Sequence, residues 1–451
     1  MPDLLIMLSK FYRFYRFSTA IKYFLFRRIL PAGWGVLIAI TVSSTMLMGN
    51  PITPLYQIFS ISVSLASLAL MWAWARRAKL SGQRYAGPHA SVGQAFRYQI
   101  SLINHGRNLG DVFLSESPPD PRPSRALFES SREPGEIFRN GFDRFFAFNR
   151  WQWLLEKGKA FDGGQTTVAS SLEAKKSKTF SLEIIPNRRG LIKLQDVRVL
   201  LPDPFRFFQR ARKVPTPPTH IAVLPQRYQL PMINLPGTAQ FQLGGDSASQ
   251  QNGSTGEFTS LREYRHGDSP RQIHWKSWAR TGRPIIKEVE DVYFPRYALV
   301  LDTFADPQEE LAFEESVSVA ASFVSAIDTN EALLDLMFLG DCDHVITAGK
   351  GVADSIKLLE VLAAVQISDK ENFGSLLQLI LRHRDDLTAC ICLFTGWSQS
   401  RTDFLQLLEK SGLQYLAITV VSHPERHQIP SRVHVLQPAT IKEDLLRLAI
   451  H

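Results

Sequence analysis

Hydrophobic positions fall into three regimes along the chain. From Ile29 to Ala75 there is no charged residue, and Asn50, Pro51 and Pro54 divide the stretch in two. The halves, about Trp34–Met48 and Leu55–Ala75, predict a transmembrane helical hairpin, since roughly 20 apolar residues cross a bilayer. The first is shorter and carries Thr41, Ser43, Ser44 and Thr45. A soluble hairpin would instead need two long helices hidden on every side. From Val92 to about Val214 the pattern changes to strand-like alternation, with strands expected at Ala95–Leu102, Gly110–Ser115, Thr166–Ile185 and Leu191–Leu200, and one more at Thr219–Pro225. Beyond Tyr297 the rhythm becomes α/β. Tyr297–Leu301 and Ala389–Phe394 are continuous apolar strands, and Leu333–Leu339, His344–Ile346 and Leu416–Val421 are further strands. Helical stretches Leu311–Ile327, Asp354–Val365, Leu376–Arg382 and Asp403–Ser411 alternate with them. That alternation implies a parallel Rossmannoid sheet covered on both faces.

The chain is therefore multidomain. Residues 1–28 are a basic, aromatic segment and 29–80 the two transmembrane helices. Residues 87–225 form a β-rich domain, sandwich-like and immunoglobulin-like in outline, with an irregular insertion. A flexible loop rich in Gly, Ser and Gln (226–256), a charged aromatic segment (257–290) and the α/β domain (291–451) complete it. The insertion, Ser124–Phe161, clusters Phe138, Phe142, Phe145, Phe146, Phe148, Trp151 and Trp153, which reads as a local core or as a surface for lipid or a partner.

Charge then orients the hairpin. The net charge is +8, with Arg27 and Arg28 before the hairpin, Arg76, Arg77 and Lys79 after it, and none in its loop. The positive-inside rule puts both termini and all soluble parts in the cytoplasm, with Trp72 and Trp74 at the inner interface. Ahead of it, Phe11, Tyr12, Phe14, Tyr15 and Phe17 alternate with Lys10, Arg13 and Arg16, which suits either an interfacial helix on the lipid surface or a plain cytoplasmic lead-in. The three cysteines, Cys342, Cys390 and Cys392, have no zinc or CxxC spacing and are expected as reduced thiols. No GxxxxGK[ST] run supplies a phosphate loop, and no GxGxxG follows the first α/β strand.

The segment Glu257–Glu290 is the densest in chemistry, with seven Arg or Lys, two His and five acids among two Trp, one Tyr and one Phe. Gln272–Arg280 predicts a short helix stopped near Gly282 and Pro284. Arg and aromatic side chains interleave as on nucleic-acid platforms, but the acids oppose phosphate, and no nucleic-acid partner is expected.

Within it, LREYRHGDSPRQIHWKSWARTG resembles the signature of the domain-of-unknown-function 58 family of bacterial membrane proteins. The matching positions are Leu261, Arg262, Tyr264, Gly267, Asp268, Arg271, Ile273, His274, Trp275, Ala279 and Arg280. Arg188-Arg189-Gly190 and Asp203-Pro204-Phe205 also match, whereas Arg206-Phe207 stands where the family tends to have Gly-Leu. The resemblance implies a membrane hairpin, a β domain and a von Willebrand factor A-like domain. It also implies a bacterial inner-membrane protein working with a MoxR-type AAA+ ATPase and other envelope proteins, with no established catalysis. The signature residues Arg262, Tyr264, Gly267, Asp268, Arg271, His274, Trp275 and Arg280 are then expected to dock a partner, to brace the domains, or both. The alternatives are an envelope scaffold, or a hydrolase using His274 and Asp268. Domains of the von Willebrand type often hold Mg²⁺ on an Asp-x-Ser-x-Ser run. Here the run is Asp302-Thr303-Phe304-Ala305-Asp306, in which Asp302 and Asp306 offer carboxylates and Phe304 offers nothing. No cofactor is expected beyond that one candidate ion.

Overall fold

The computed structural model describes residues 2–49, 53–166, 170–231, 257–290, 296–305, 309–327, 333–339, 343–348, 352–368, 371–426 and 428–448. The chain divides into two compact units, Met1–Gln226 with Leu359–Val365, and Arg227–Leu358 with Gln366–His451. Residues 232–256 of the expected 226–256 loop, Asp306 and Cys342 lie outside the described residues.

The first unit begins with three helices, α1 (Pro2–Phe26), α2 (Pro31–Gly49) and α3 (Thr53–Ala75). Helices α2 and α3 pack on each other as a hairpin. Only one helix among the described residues, at Pro54–Ala75, is long and apolar enough to cross a membrane, while the apolar part of α2 is the shorter Pro31–Leu47. At about 1.5 Å per residue such a stretch reaches roughly 26 Å, short of the ~30 Å hydrocarbon core. Of the two expected spans, α3 has the length and apolarity to cross a bilayer and α2 does not.

Helix α1 and the insertion correct the sequence reading together. The insertion is not irregular: it folds into α4 (Arg125–Ser130), α5 (Gly141–Phe146) and α6 (Phe148–Gly158). Ser124 and Asn140 cap the first two by accepting the N–H groups of Leu127 and Asp143. Tyr12 and Tyr15 of α1 are buried in one core with Phe128, Trp151, Leu154 and Leu155. Their hydroxyls donate to Pro123 O (3.2 Å) and Phe146 O (2.9 Å), and Trp151 Nε1 donates to Thr19 Oγ1 (3.1 Å). A simple lead-in would leave these rings exposed. One face of α1 builds a protein core, and Phe14, Phe17, Phe24 and Phe26 stay exposed on the rest.

The β-rich part contains β1 (Leu80–Tyr85), β2 (His89–Ser91), β3 (Phe96–Asn104), β4 (Leu109–Glu116), β5 (Phe161–Gly163), β6 (Ser170–Leu172), β7 (Ser177–Pro186), β8 (Gly190–Leu194), β9 (Val197–Pro202), β10 (Gln209–Val214) and β11 (Thr219–Leu224). Sheets β1-β3-β7-β5, β10-β9-β4-β6 and β2-β11-β8 enclose one core, to which β3 contributes Tyr98, Ile100 and Leu102 by strict alternation. The single strand expected over Leu191–Leu200 is two strands in two sheets. It breaks at Gln195, whose carbonyl accepts from Arg84 Nη2 and Thr216 Oγ1, both at 2.8 Å. Arg84 also meets Glu116 Oε1 at 2.8 Å, and Tyr98 OH donates to Glu116 Oε2 at 2.6 Å, a polar network buried inside the sandwich.

The sandwich is tied to the hairpin at one end. Leu30 N–H donates to Phe207 O (2.9 Å), Gln209 N–H to Arg28 O (2.8 Å), and the Arg210 guanidinium to Trp74 O and Arg76 O. A Cβ on Gly33 would strike the Phe207 carbonyl, so α2 can approach only with glycine there. Arg206, at the position where the related signature tends to have Gly, takes a left-handed φ of 57°. Asp203 holds that turn by accepting the N–H groups of Phe205 (2.7 Å) and Phe208 (2.5 Å).

Near the start of the second unit lies Tyr228, whose hydroxyl donates to Glu315 (2.6 Å) and whose N–H donates to Ser322 Oγ (2.8 Å). The charged segment forms an antiparallel pair, β12 (Glu257–Glu263) and β13 (Ile285–Glu290), enclosing α7 (Trp275–Thr281). The α/β sheet has strands β14 (Arg296–Leu301), β15 (Leu333–Leu339), β16 (Asp343–Ala348), β17 (Ala389–Thr395), β18 (Gln414–Val420) and β19 (Val433–Leu436), in the order β16-β15-β14-β17-β18-β19. It is parallel except for β16, an antiparallel edge strand on β15. Helices α8 (Glu310–Ala326), α10 (Phe373–Arg382), α11 (Gln399–Lys410) and α12 (Ile441–Arg447) connect and flank it, consistent with a Rossmannoid domain, while α9 (Val352–Ala364) follows β16 in the chain and its Leu359–Ala364 part belongs to the first unit. Strand β19 and helix α12 are additions to the sequence reading. Cys390 and Cys392 are buried free thiols on β17, and burial pushes Cys390 up to about 12.

Candidate functional site

Two clusters bear on function, both in the second unit. The first is the carboxyl end of β14, where ligands collect in open α/β sheets. Asp302 is 1% exposed. Its Oδ1 accepts the Phe304 N–H (2.8 Å), and its Oδ2 accepts Arg401 Nε (2.8 Å) and the Thr395 N–H (3.3 Å). Arg401 comes from the first turn of α11, buried to 4% exposure, and donates also to Phe304 O and to Ser398 Oγ (3.0 Å). Its guanidinium lies 5.4 Å from the centre of the Phe373 ring. Burial pushes the Asp302 carboxyl up to about 6, while Arg401 and the two N–H donors pull it down. At neutral pH it is chiefly an ionised partner of Arg401.

These residues do not fit Mg²⁺. A divalent cation needs several hard oxygens free to coordinate. Asp302 faces a fixed positive charge that would repel one, and Phe304 is buried and offers no oxygen. Thr395 Oγ1 donates to Ser316 Oγ (3.1 Å) and Thr303 Oγ1 to Leu339 O (2.5 Å). Among the described residues no three His, Cys, Asp or Glu side chains gather as a metal set. The sequence reading starts the fourth α/β helix at Asp403, one turn late, and so misses Arg401. Ser398, a residue type favoured just ahead of a helix, was the local signal for the earlier start.

The second cluster is the charged segment. Asp268 pairs with Arg262, whose Nη1 and Nη2 reach its two oxygens at 2.7 and 2.9 Å. The Arg265 N–H adds a third bond at 2.7 Å. Together they hold Asp268 down at about 2, which makes it a weak base near neutrality. Gly267, at φ 110°, gives the turn that points this carboxylate back at β12. His274 precedes α7; its Nδ1 meets Ser277 Oγ at 2.6 Å and its N–H donates to Ile285 O at 2.8 Å. Among the described residues Asp268 bonds to Arg262 and the Arg265 N–H, and His274 Nδ1 to Ser277, with no hydrogen bond between Asp268 and His274. Tyr264 is half-buried and donates its N–H to Pro284 O (3.0 Å), and Ile273 bridges Ile286. Gly282 ends α7 in the left-handed region, its N–H on Trp278 O.

The remaining signature side chains point outward. Trp275 is 64% exposed and stacks on Trp278 with ring centres 5.2 Å apart. Arg271, Lys276 and Arg280 are exposed, and none has a carboxylate within ion-pair distance among the described residues. Within the signature, Arg262, Gly267 and Asp268 thus hold one local turn against β12, while Arg271, Trp275 and Arg280 are displayed at the surface.

Residues 260–435 match a family described as "Protein of unknown function DUF58". No curated protein matches. Among solved structures, the chain is similar to a CARDB domain from Pyrococcus furiosus described in complex with di-metal ions, at 10% identity over 31% of this chain and 89% of that one, with a TM-score of 0.15. A manganese-loaded TRAP protein from Plasmodium vivax matches at 9% identity over 35% and 73%, with a TM-score of 0.27. A family 123 glycoside hydrolase from Clostridium perfringens matches at 11% identity over 34% and 28%, with a TM-score of 0.18.

Proposed function

We propose that this chain is a non-enzymatic adaptor or assembly factor, anchored in the bacterial inner membrane and working with a MoxR-type AAA+ ATPase at the cytoplasmic face. In this reading α2 and α3 both cross the bilayer, α2 through local thinning and its flanking arginines, and the soluble parts face the cytoplasm. The observation that carries the docking role is the displayed set: an exposed Trp275 beside Arg271, Lys276 and Arg280, three exposed cations with no carboxylate in ion-pair distance among the described residues, on a hairpin held by the Arg262–Asp268 pair. Trp and Arg dominate interface hot spots, and unpaired cations favour an acidic partner surface. Without a phosphate loop in this chain, nucleotide hydrolysis falls to the partner.

The test is crosslinking in intact membranes followed by recovery of the full chain. An AAA+ ATPase should be captured, and Trp275→Ala or Arg271→Ala should reduce its recovery about tenfold or more. Both side chains are exposed, so circular dichroism and protease resistance should stay unchanged. Full recovery with both folded variants would remove the signature as docking site. Absence of any ATPase under every nucleotide condition would leave the scaffold reading in its place.

A further inference from the structure

The first unit holds a cavity of about 170 Å³ lined by Phe24, Arg27, Arg28, Arg198, Ala211 and Lys213. Four of its six lining residues are cationic. Arg27, Arg28 and Arg198 have no carboxylate within ion-pair distance among the described residues, and Lys213 reaches Asp196 only at 3.8 Å. Arg28 lies over the Phe24 ring at 3.9 Å. The walls are held by backbone: Gln209 donates its N–H to Arg28 O (2.8 Å) and its Nε2 to Arg27 O (3.0 Å), which fastens the link between α1 and α2 to β10.

The cations oppose one another. Desolvation, then Arg198 and Arg28, lower the pKa of Arg27, and desolvation lowers that of Arg198. Such a grouping costs free energy that a bound anion offsets. Guanidinium forks match the paired oxygens of a phosphate. The position narrows the source: Arg27 and Arg28 fall between α1, ending at Phe26, and α2, beginning at Pro31. If α2 enters the bilayer there, the cavity opens where phospholipid headgroups lie.

We infer that this cavity is a phosphate-binding site that takes the headgroup of an anionic phospholipid, clamping the sandwich to the membrane surface through Arg27, Arg28, Arg198 and Lys213. The inference uses the membrane placement of α2 but not the docking role of the charged segment, so an ATPase capture that fails leaves it standing.

The test uses the full chain in neutral detergent. Native mass spectrometry counts phosphatidylglycerol and phosphatidylcholine molecules retained, with inorganic phosphate added as competitor. Phosphatidylglycerol should be retained preferentially, and an Arg27→Gln/Arg198→Gln variant should lose about fivefold in affinity for each cation removed. Ala211→Glu, which adds a carboxylate while removing no cation, should also abolish the preference, and it serves if the double variant melts early. Displacement by inorganic phosphate with no preference between the lipids would assign the site to soluble phosphate. Equal retention of both lipids without phosphate competition would overturn the site. So would retention unchanged in both folded variants.

Discussion

Replacing Arg401 by Met tests the reading of the β14 end most directly. Met fills much of the volume but removes the donors to Asp302 Oδ2, Phe304 O and Ser398 Oγ. Asp302, 1% exposed, keeps the Phe304 N–H at 2.8 Å and the longer Thr395 N–H at 3.3 Å. Leaving one buried charge unpaired costs about 3–5 kcal/mol. For a domain of this size that is a fall in melting temperature of roughly 10 °C. The loss carries a pH signature. Burial raises the folded pKa of Asp302 to about 6, above its ordinary value of 3.8. A carboxyl raised on folding favours the native state at low pH and loses that contribution as pH rises through the folded pKa. Without Arg401 the folded pKa rises further, so the variant recovers more than the parent on acidification. The deficit should therefore be large at pH 7.5 and smaller near pH 5. Hydrogen exchange of β14 and β17 peptides in the full-length protein reads this unit alone. Asp302→Asn combined with Arg401→Met should recover part of the loss, because a buried pair replaced at both ends is often nearly neutral. A single variant within about 1 kcal/mol of the parent, or a deficit independent of pH, would refute the argument.

Glu116→Gln should cost about 3 kcal/mol, since it leaves the buried Arg84 guanidinium with neutral acceptors and no carboxylate, and thermal melting of the first unit measures it. Gly33→Ala should loosen the hairpin from the Asp203–Phe208 turn at a cost of about 1–3 kcal/mol, visible as faster proteolysis there; an unchanged cleavage rate would contradict the close approach. Calorimetry with Mg²⁺ should show no binding in the millimolar range, and binding abolished by Asp302→Ala would show that the Arg401 contact yields to metal.

Local signals carried a good part of the architecture. Alternation marked β3 and β4, continuous apolar runs marked β14 and β17, and the stop of α7 at Gly282 followed from residue type, because each depends on neighbours close in sequence. Binary patterning also separated the helical hairpin from the sheets, though of its two helices only α3 has the length and apolarity to cross a bilayer. What needed the tertiary structure was every pairing across long separations. Nothing near Arg401 in sequence says that it meets Asp302, 99 positions earlier. Tyr12 and Tyr15 look amphipathic by themselves, and only the insertion's Trp151 and Phe128 decide that one face of α1 is a protein core. Leu191–Leu200 reads as one strand until Arg84 pulls Gln195 out of line. The signature shows the same division: its residue types announce charge and aromaticity, but only the fold assigns Arg262 to Asp268 and leaves Arg271, Trp275 and Arg280 at the surface. Composition sets which interactions a chain is able to make, and the folded backbone, by fixing distances between residues far apart in sequence, selects the ones that form.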